Sequence, residues 1–419
     1  MAYIKRMVEQ TILEASKSFA CITIYGPRQV GKSTTINWLF KNKIKSVTLD
    51  NFETRESATN NPRQFLESLG WPLIIDEIQK APQLLNQIKI IIDEEKYRKL
   101  MNDEKNEVMY ILTGSNRFEF QKYVTESLAG RTAIIEMNSL TNIEKHGLTS
   151  HLFNPNYKQL IENSKQSTLT YKTVSQVFED IFNGGMPEYI DKNISREMFF
   201  NSYIETYIEK DVKNAIGANM EFAFRKFLSI LALRTGTQIN YQDVGSKVGI
   251  DVKTVKSWLS ILKATNLITF LYPYMSNLSD RIIKTPKLYF MDTGLCSYLC
   301  GWQNAGMLEN GIMSGAFFET YIVTDIIKNM QAHCVNPDFY LYYYRDVDQK
   351  EVDLLYVDAN GITPIEIKKS TSPSNPTKNF DALKKYKTQI LPGLIIDNCS
   401  EIRPHNDKAR LYPAWRLGE

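Results

Sequence analysis

Eight consecutive residues near the amino terminus constrain this chain more than any others. Gly26-Pro27-Arg28-Gln29-Val30-Gly31-Lys32-Ser33 reads G-x-x-x-x-G-K-S. It follows a short apolar, β-rich run, Ala20-Cys-Ile-Thr-Ile-Tyr25, and precedes a stretch from Thr34 to Phe40 that reads as helix. That strand–loop–helix setting is what gives the motif its meaning. Gly26 and Gly31 let the backbone curl until its N–H groups point at phosphate oxygens, and the helix start near Lys32 adds partial positive charge. Lys32 reaches the outer phosphates, the Ser33 hydroxyl is placed to bind Mg²⁺, and the cradle extends through Thr34.

Two further strands complete the pattern. Pro72-Leu-Ile-Ile-Asp76-Glu77 is a buried-strand run ending in two carboxylates. In an open α/β sheet, ligands bind at the carboxyl ends of the strands, so both acids fall beside the cradle. Asp76 is expected to hold the Mg²⁺ and Glu77 to polarise the attacking water. Met109-Tyr-Ile-Leu-Thr113-Gly-Ser115-Asn116 ends in hydroxyl and amide groups suited to positioning that water, with Ser115 the first choice and Thr113 and Asn116 the alternates. Arg131, in Ser127-Leu-Ala-Gly-Arg131 before the strand run Thr132–Met137, is either a surface arginine or a finger reaching a neighbouring subunit.

Together these motifs resemble a widespread prokaryotic family of AAA+ ATPases that carry a carboxyl-terminal domain of uncharacterised function. The resemblance covers about the first 140 residues closely. It implies an ATP-binding and ATP-hydrolysing α/β core of five strands, one lying between the two phosphate-site motifs, and a ring-forming homo-oligomer. Gly184-Gly185-Met-Pro187-Glu-Tyr189 also resembles a signature of that family.

Length allows more than one domain. At 419 residues the chain suits two to four, and 43% hydrophobic with 23% charged residues is globular composition. Five scattered cysteines do not suggest a disulfide framework, and four histidines leave little room for zinc or histidine catalysis. No apolar run suits a bilayer and the amino terminus lacks a signal-peptide pattern, so a cytoplasmic protein without membrane contact is expected.

The formal charge of +3 conceals a local imbalance. Between Glu205 and Phe290, twelve Lys and Arg face seven Asp and Glu, leaving +5 there. The same region reads as helix-turn-helix, with a turn at Gly249, an N-cap at Asp251 and a second helix from Val252. Val255, Trp258, Leu259 and Leu262 would face the core, and Lys253, Lys256 and Ser257 would face outward, toward DNA. The runs Leu267–Tyr272 and Lys287–Phe290 would supply the wing strands. The alternative is a winged helix used for protein docking.

The last third carries a second set of acids. Glu319 sits in a helical run from Gly315, Asp353 near the start of the strand run Glu351–Val357, and Glu366 with Lys368 along the next. Period two puts Glu366 and Lys368 on one face. This ordered set resembles the restriction-endonuclease-like nucleases. The resemblance implies that Asp353 and Glu366 chelate Mg²⁺, that Glu319 completes the site or binds a second ion, and that Lys368 orients the attacking water. Competing readings are ordinary alternating charges and a nuclease fold that grips DNA or protein without cleaving.

The expected organisation is therefore an AAA+ P-loop core over 1–140, a helical lid or linker over 141–220, a winged-helix segment over 221–300 and a nuclease-like domain over 301–419. The expected function is a DNA-acting ATPase with Mg²⁺-dependent cleavage, or alternatively an ATP-dependent regulatory or defence switch.

Overall fold

The computed structural model describes residues 3–104, 107–115, 127–148, 150–165, 168–191, 194–208, 212–216, 220–275, 285–371 and 373–419. Three sheets organise them. The first has the order β2-β3-β4-β1-β5, with β1 Cys21–Tyr25, β2 Lys45–Thr48, β3 Leu73–Asp76, β4 Tyr110–Gly114 and β5 Thr132–Glu136. All its pairings are parallel. β1, β3 and β4 are near-continuous apolar runs because helices cover both of their faces. The expected strand between the two phosphate-site motifs is β2, at the sheet edge.

The helix after the cradle spans Lys32–Leu39, starting at the lysine where the motif puts it and ending one residue before Phe40. Gly31 takes a left-handed conformation as its N-cap, so the helix begins at the lysine itself. The polar stretch 154–170, loop-like in composition, contains the helix Tyr157–Ser164. Asn156 caps it by accepting the Lys158 N–H at 3.0 Å, and Leu160 anchors it in the core.

The middle of the chain contains the helices Glu221–Ala232, Tyr241–Val248 and Val252–Ala264 and a small antiparallel sheet. That sheet has the order β6-β8-β7, with β6 Thr237–Gln238, β7 Ile268–Leu271 and β8 Lys287–Phe290. Asp251 caps the third helix by accepting the Thr254 N–H at 2.6 Å. Val255, Trp258, Leu259 and Leu262 are buried, and Trp258 packs edge-on to Phe224 and Phe227. Lys253, Lys256 and Ser257 are exposed on the opposite face. The segment 276–284 between β7 and β8 lies outside the described residues.

The last sheet is mixed, in the order β13-β14-β12-β11-β10-β9, with β9 Leu341–Arg345, β10 Glu351–Asp358, β11 Gly361–Ile367, β12 Gly393–Asp397, β13 Arg403–Asn406 and β14 Ala409–Pro413. The long helix Ser314–Ala332 precedes it and is buried on nearly every side. Its outer turns meet the segment that follows β5. Asp325 accepts the Asn142 N–H at 3.0 Å, Lys328 donates to Ser139 Oγ at 2.9 Å, and Gln331 accepts from Asn138 Nδ2 at 2.9 Å. Burial pushes the Asp325 carboxyl up to about 6. The helix therefore touches the first sheet as well as its own.

Candidate functional site

Because the first sheet is parallel, the carboxyl ends of β1, β4 and β3 lie along one edge in that spatial order. This brings the loop 26–31, Ser115 and the Asp76–Glu77 pair together. Gly26 is required by close approach, since a Cβ there would stand 1.9 Å from the Met137 carbonyl oxygen. Lys32 is 7% exposed and curls over its own loop, donating from Nζ to the carbonyls of Gly26 and Pro27, both at 2.8 Å. The Ser33 hydroxyl meets both carboxylate oxygens of Asp76, at 2.9 and 3.0 Å. Thr113 also donates to Asp76 Oδ1, and its hydroxyl accepts the Glu77 N–H at 3.3 Å.

Glu77 has a left-handed backbone, φ 57° and ψ 46°, an uncommon and mildly strained conformation for a residue with a Cβ. It turns the chain sharply at the strand end and aims the carboxylate across the edge toward β4. Ser115 donates to Glu77 Oε2 at 3.2 Å, and Gln79 Nε2 reaches the same oxygen and lies 3.3 Å from Ser115 Oγ. A cleft of about 340 Å³ adjoins the loop, lined by Arg28, Gln29 and Thr34 on one side and by Glu77 with Tyr203 and Thr206 on the other.

Gln79 carries no role in the sequence reading, although it stands only two residues beyond Glu77. Tyr203 and Thr206 come from the helix Arg196–Tyr207, and nothing local in the sequence marks them. Val30 buries its side chain in the core and presents its carbonyl to Arg6 Nη1 at 2.6 Å. Of the two alternates for Ser115, Thr113 holds Asp76, and Asn116 lies outside the described residues.

Arg131 stands at the amino end of β5, the sheet edge opposite the cradle. It is clamped by Asp93, with Nε–Oδ1 2.7 Å and Nη2–Oδ2 2.8 Å, and the hydrogen bond to Arg131 keeps the Asp93 carboxyl below its ordinary range.

The carboxyl-terminal acids divide into two groups. Asp353 Oδ2 accepts the Ile367 N–H at 2.8 Å and Lys368 Nζ at 3.2 Å, and Lys368 also meets Glu366 Oε1 at 2.7 Å. Glu366 and Lys368 thus share a face, as their spacing requires. Burial, and then the Asp353 charge, push the Glu366 carboxyl up to about 8. Glu319 feels the Asp353 charge but takes its hydrogen bonds from other residues. Its Oε1 accepts from Lys287 Nζ at 2.9 Å and from Tyr289 Oη at 2.6 Å, both from β8. Lys287 also meets Glu351 Oε1 at 2.6 Å. Burial works to lower the Lys287 pKa, but Glu319, Asp353 and Glu351 outweigh it and hold it above an ordinary lysine. Among the described residues, no three His, Cys, Asp or Glu side chains gather as a metal-binding group. The expectation that Glu319 completes a site with Asp353 and Glu366 therefore meets a different geometry, because β8 brings Lys287 and Tyr289 onto Glu319.

The first sheet and its edge have the arrangement of a P-loop NTPase-like core. Residues 18–145 match the family model described as AAA domain, and residues 174–306 and 314–417 match two domains of unknown function, DUF8612 and DUF4143. The chain is similar to an uncharacterized protein of Mycobacterium tuberculosis and to one of Mycobacterium bovis, each 26% identical over 359 residues that span 84% of this chain and 71% of the relative. Among solved structures it is similar to a Walker-type ATPase of Pyrococcus abyssi, with TM-score 0.40 and 14% identity over 71% of this chain and 96% of that one. It is also similar to the ORC2 protein of Aeropyrum pernix in ADPNP–ADP complexes, with TM-score 0.35 and 13% identity over 70% and 89%. No described helix is long and apolar enough to cross a membrane.

Proposed function

We propose that the chain binds and hydrolyses ATP with Mg²⁺ and couples that cycle to contact with DNA. The observation that carries the ATPase reading is the convergence of Lys32, Ser33, Asp76 and Glu77 on one sheet edge. The ion fits there because Ser33 Oγ and the Asp76 carboxylate already point at each other with oxygen donors alone. When bound with the nucleotide, Mg²⁺ neutralises phosphate charge. The protein's own groups do the rest. Loop N–H groups and Lys32 hold the phosphates, Ser115 orients the water, and Glu77 takes its proton. Lys32→Ala is expected to weaken ATP binding roughly 10- to 100-fold, since a charge-assisted hydrogen bond contributes about 1.5–3 kcal/mol. Titration with a fluorescent ATP analogue and a phosphate-release assay measure both steps. Undiminished turnover in both Lys32→Ala and Glu77→Gln would overturn the ATPase reading.

Arg131 is proposed as a contributor to a neighbouring subunit's site in a homo-oligomeric ring. Its position on the far edge supports this, since it cannot serve its own cradle. The proposed units are the core over 1–140, the helical lid over 141–220, the winged helix over 221–300 and the carboxyl-terminal unit over 301–419.

The DNA reading rests on the exposed Lys253, Lys256 and Ser257 along one face of the helix Val252–Ala264. Not all of the local +5 is available for this contact. Arg225 pairs with Glu205, Arg234 and Lys247 with Asp243, and Lys287 is buried. The double substitution Lys253→Ala, Lys256→Ala is expected to weaken duplex binding and reduce the salt slope of log affinity by about 2. An unchanged slope would move the contact elsewhere.

A further inference from the structure

We infer that Lys287 fills the place of a cation in the carboxyl-terminal acid cluster, so that this unit is not a metal-dependent nuclease. The inference stands whether or not the chain hydrolyses ATP. Lys287 comes from β8 in the small middle sheet, and its side chain is only 3% exposed. Its ammonium lies 2.9 Å from Glu319 and 2.6 Å from Glu351, and sits over the Tyr343 ring at 5.5 Å. Tyr289, two residues on along the same strand face, adds a hydroxyl to Glu319. The second oxygen of Glu351 meets Arg345 at 3.2 Å.

A divalent ion at this cluster would need several oxygens free of other partners. Glu319 and Glu351 are not free, and Lys287 cannot swing aside into water as an exposed lysine does. Moving it would take a buried ammonium from both carboxylates and leave Glu319 with only the Tyr289 hydroxyl, and breaking a buried ion pair from one side is costly. Asp353 and Glu366 remain, and Lys368 bridges them. Glu366 Oε2 is buried without a hydrogen-bond partner among the described residues, but Glu319, Asp353 and Glu366 do not gather there as a group that could hold a hard cation. The lysine does what a cation would do for folding: it ties β8, the helix Ser314–Ala332 and β10 around one charge, joining the middle sheet to the last one.

The test is Mn²⁺ binding, followed by calorimetry and by electron paramagnetic resonance, on the nucleotide-free full chain carrying Ser33→Ala to silence the first site. No saturable binding is expected up to about 1 mM, the weak end of protein sites for divalent ions. Adding Lys287→Met should create one saturable site by freeing Glu319 and Glu351. Saturable binding without Lys287→Met, lost on Asp353→Asn with Glu366→Gln, would overturn the inference, as would a folded Lys287→Met chain that gains no site. Should Lys287→Met fail to fold, Glu319→Gln decides. It is expected to lower the denaturation midpoint because Lys287 loses its buried partner, and an unchanged midpoint would overturn the inference.

Discussion

Glu77→Gln is expected to lower ATP turnover by about 10²- to 10⁴-fold while leaving nucleotide affinity within about twofold, the pattern of a lost general base. The substitution keeps size and hydrogen-bonding reach but removes the proton acceptor. In the proposed site affinity rests on Lys32 and the loop, to which Glu77 makes no hydrogen bond among the described residues. The Glu77 carboxylate is held by Ser115 and Gln79 at the end of β4 and the turn after β3. Gln79→Ala is accordingly expected to change kcat more than KM, because Gln79 positions the base and does not hold the phosphates. Phosphate release under saturating ATP, paired with equilibrium binding, checks both. Full turnover in Glu77→Gln would place the base elsewhere on the edge.

Arg6→Ala is expected to destabilise the chain by about 3–5 kcal/mol, the cost of breaking a buried ion pair from one side. Arg6 and Glu144 are 5% and 3% exposed and meet at 2.9 Å. The guanidinium also donates to the carbonyls of Val30 at 2.6 Å and Asn138 at 2.7 Å. One side chain thus ties the amino-terminal segment, the phosphate loop and the chain leaving β5. Its loss strands the Glu144 carboxylate, which keeps only backbone donors from Met7 and Thr141, at 2.8 and 2.9 Å, and the Thr141 hydroxyl. Arg6→Lys should recover little, since one ammonium cannot span three acceptors set by a planar fork. Urea denaturation reads the stability, and ATP affinity should fall with it because the loop carbonyl at Val30 loses its anchor. A loss below about 1 kcal/mol, the worth of an exposed pair, would contradict the buried-pair argument.

Local chemistry made the proposed phosphate site legible. Gly26 through Ser33 are consecutive, and their roles follow from backbone conformation and helix start, both short-range properties. Asp76 and Glu77 were readable for a related reason: four buried apolar positions followed by acids mark the end of a central strand. The pattern of Val255, Trp258, Leu259 and Leu262 against Lys253, Lys256 and Ser257 was equally readable, since helical period separates the faces. The helix Tyr157–Ser164 was not legible in its polar, loop-like composition because the Asn156 cap overrides composition over a few residues.

By itself, then, the sequence determined the P-loop core, the acids at its edge and the two faces of the helix Val252–Ala264, because each depends on neighbours within one strand or one or two turns of helix. Only the tertiary structure decided that Arg6 anchors the loop through Glu144, 138 residues away, and that Lys287 joins Glu319 and Glu351. In sequence Lys287 is one more base in a basic segment. Burial beside three carboxylates turns the same charge from a surface feature into an internal counter-ion, and burial among distant segments has no periodicity that a single chain can display.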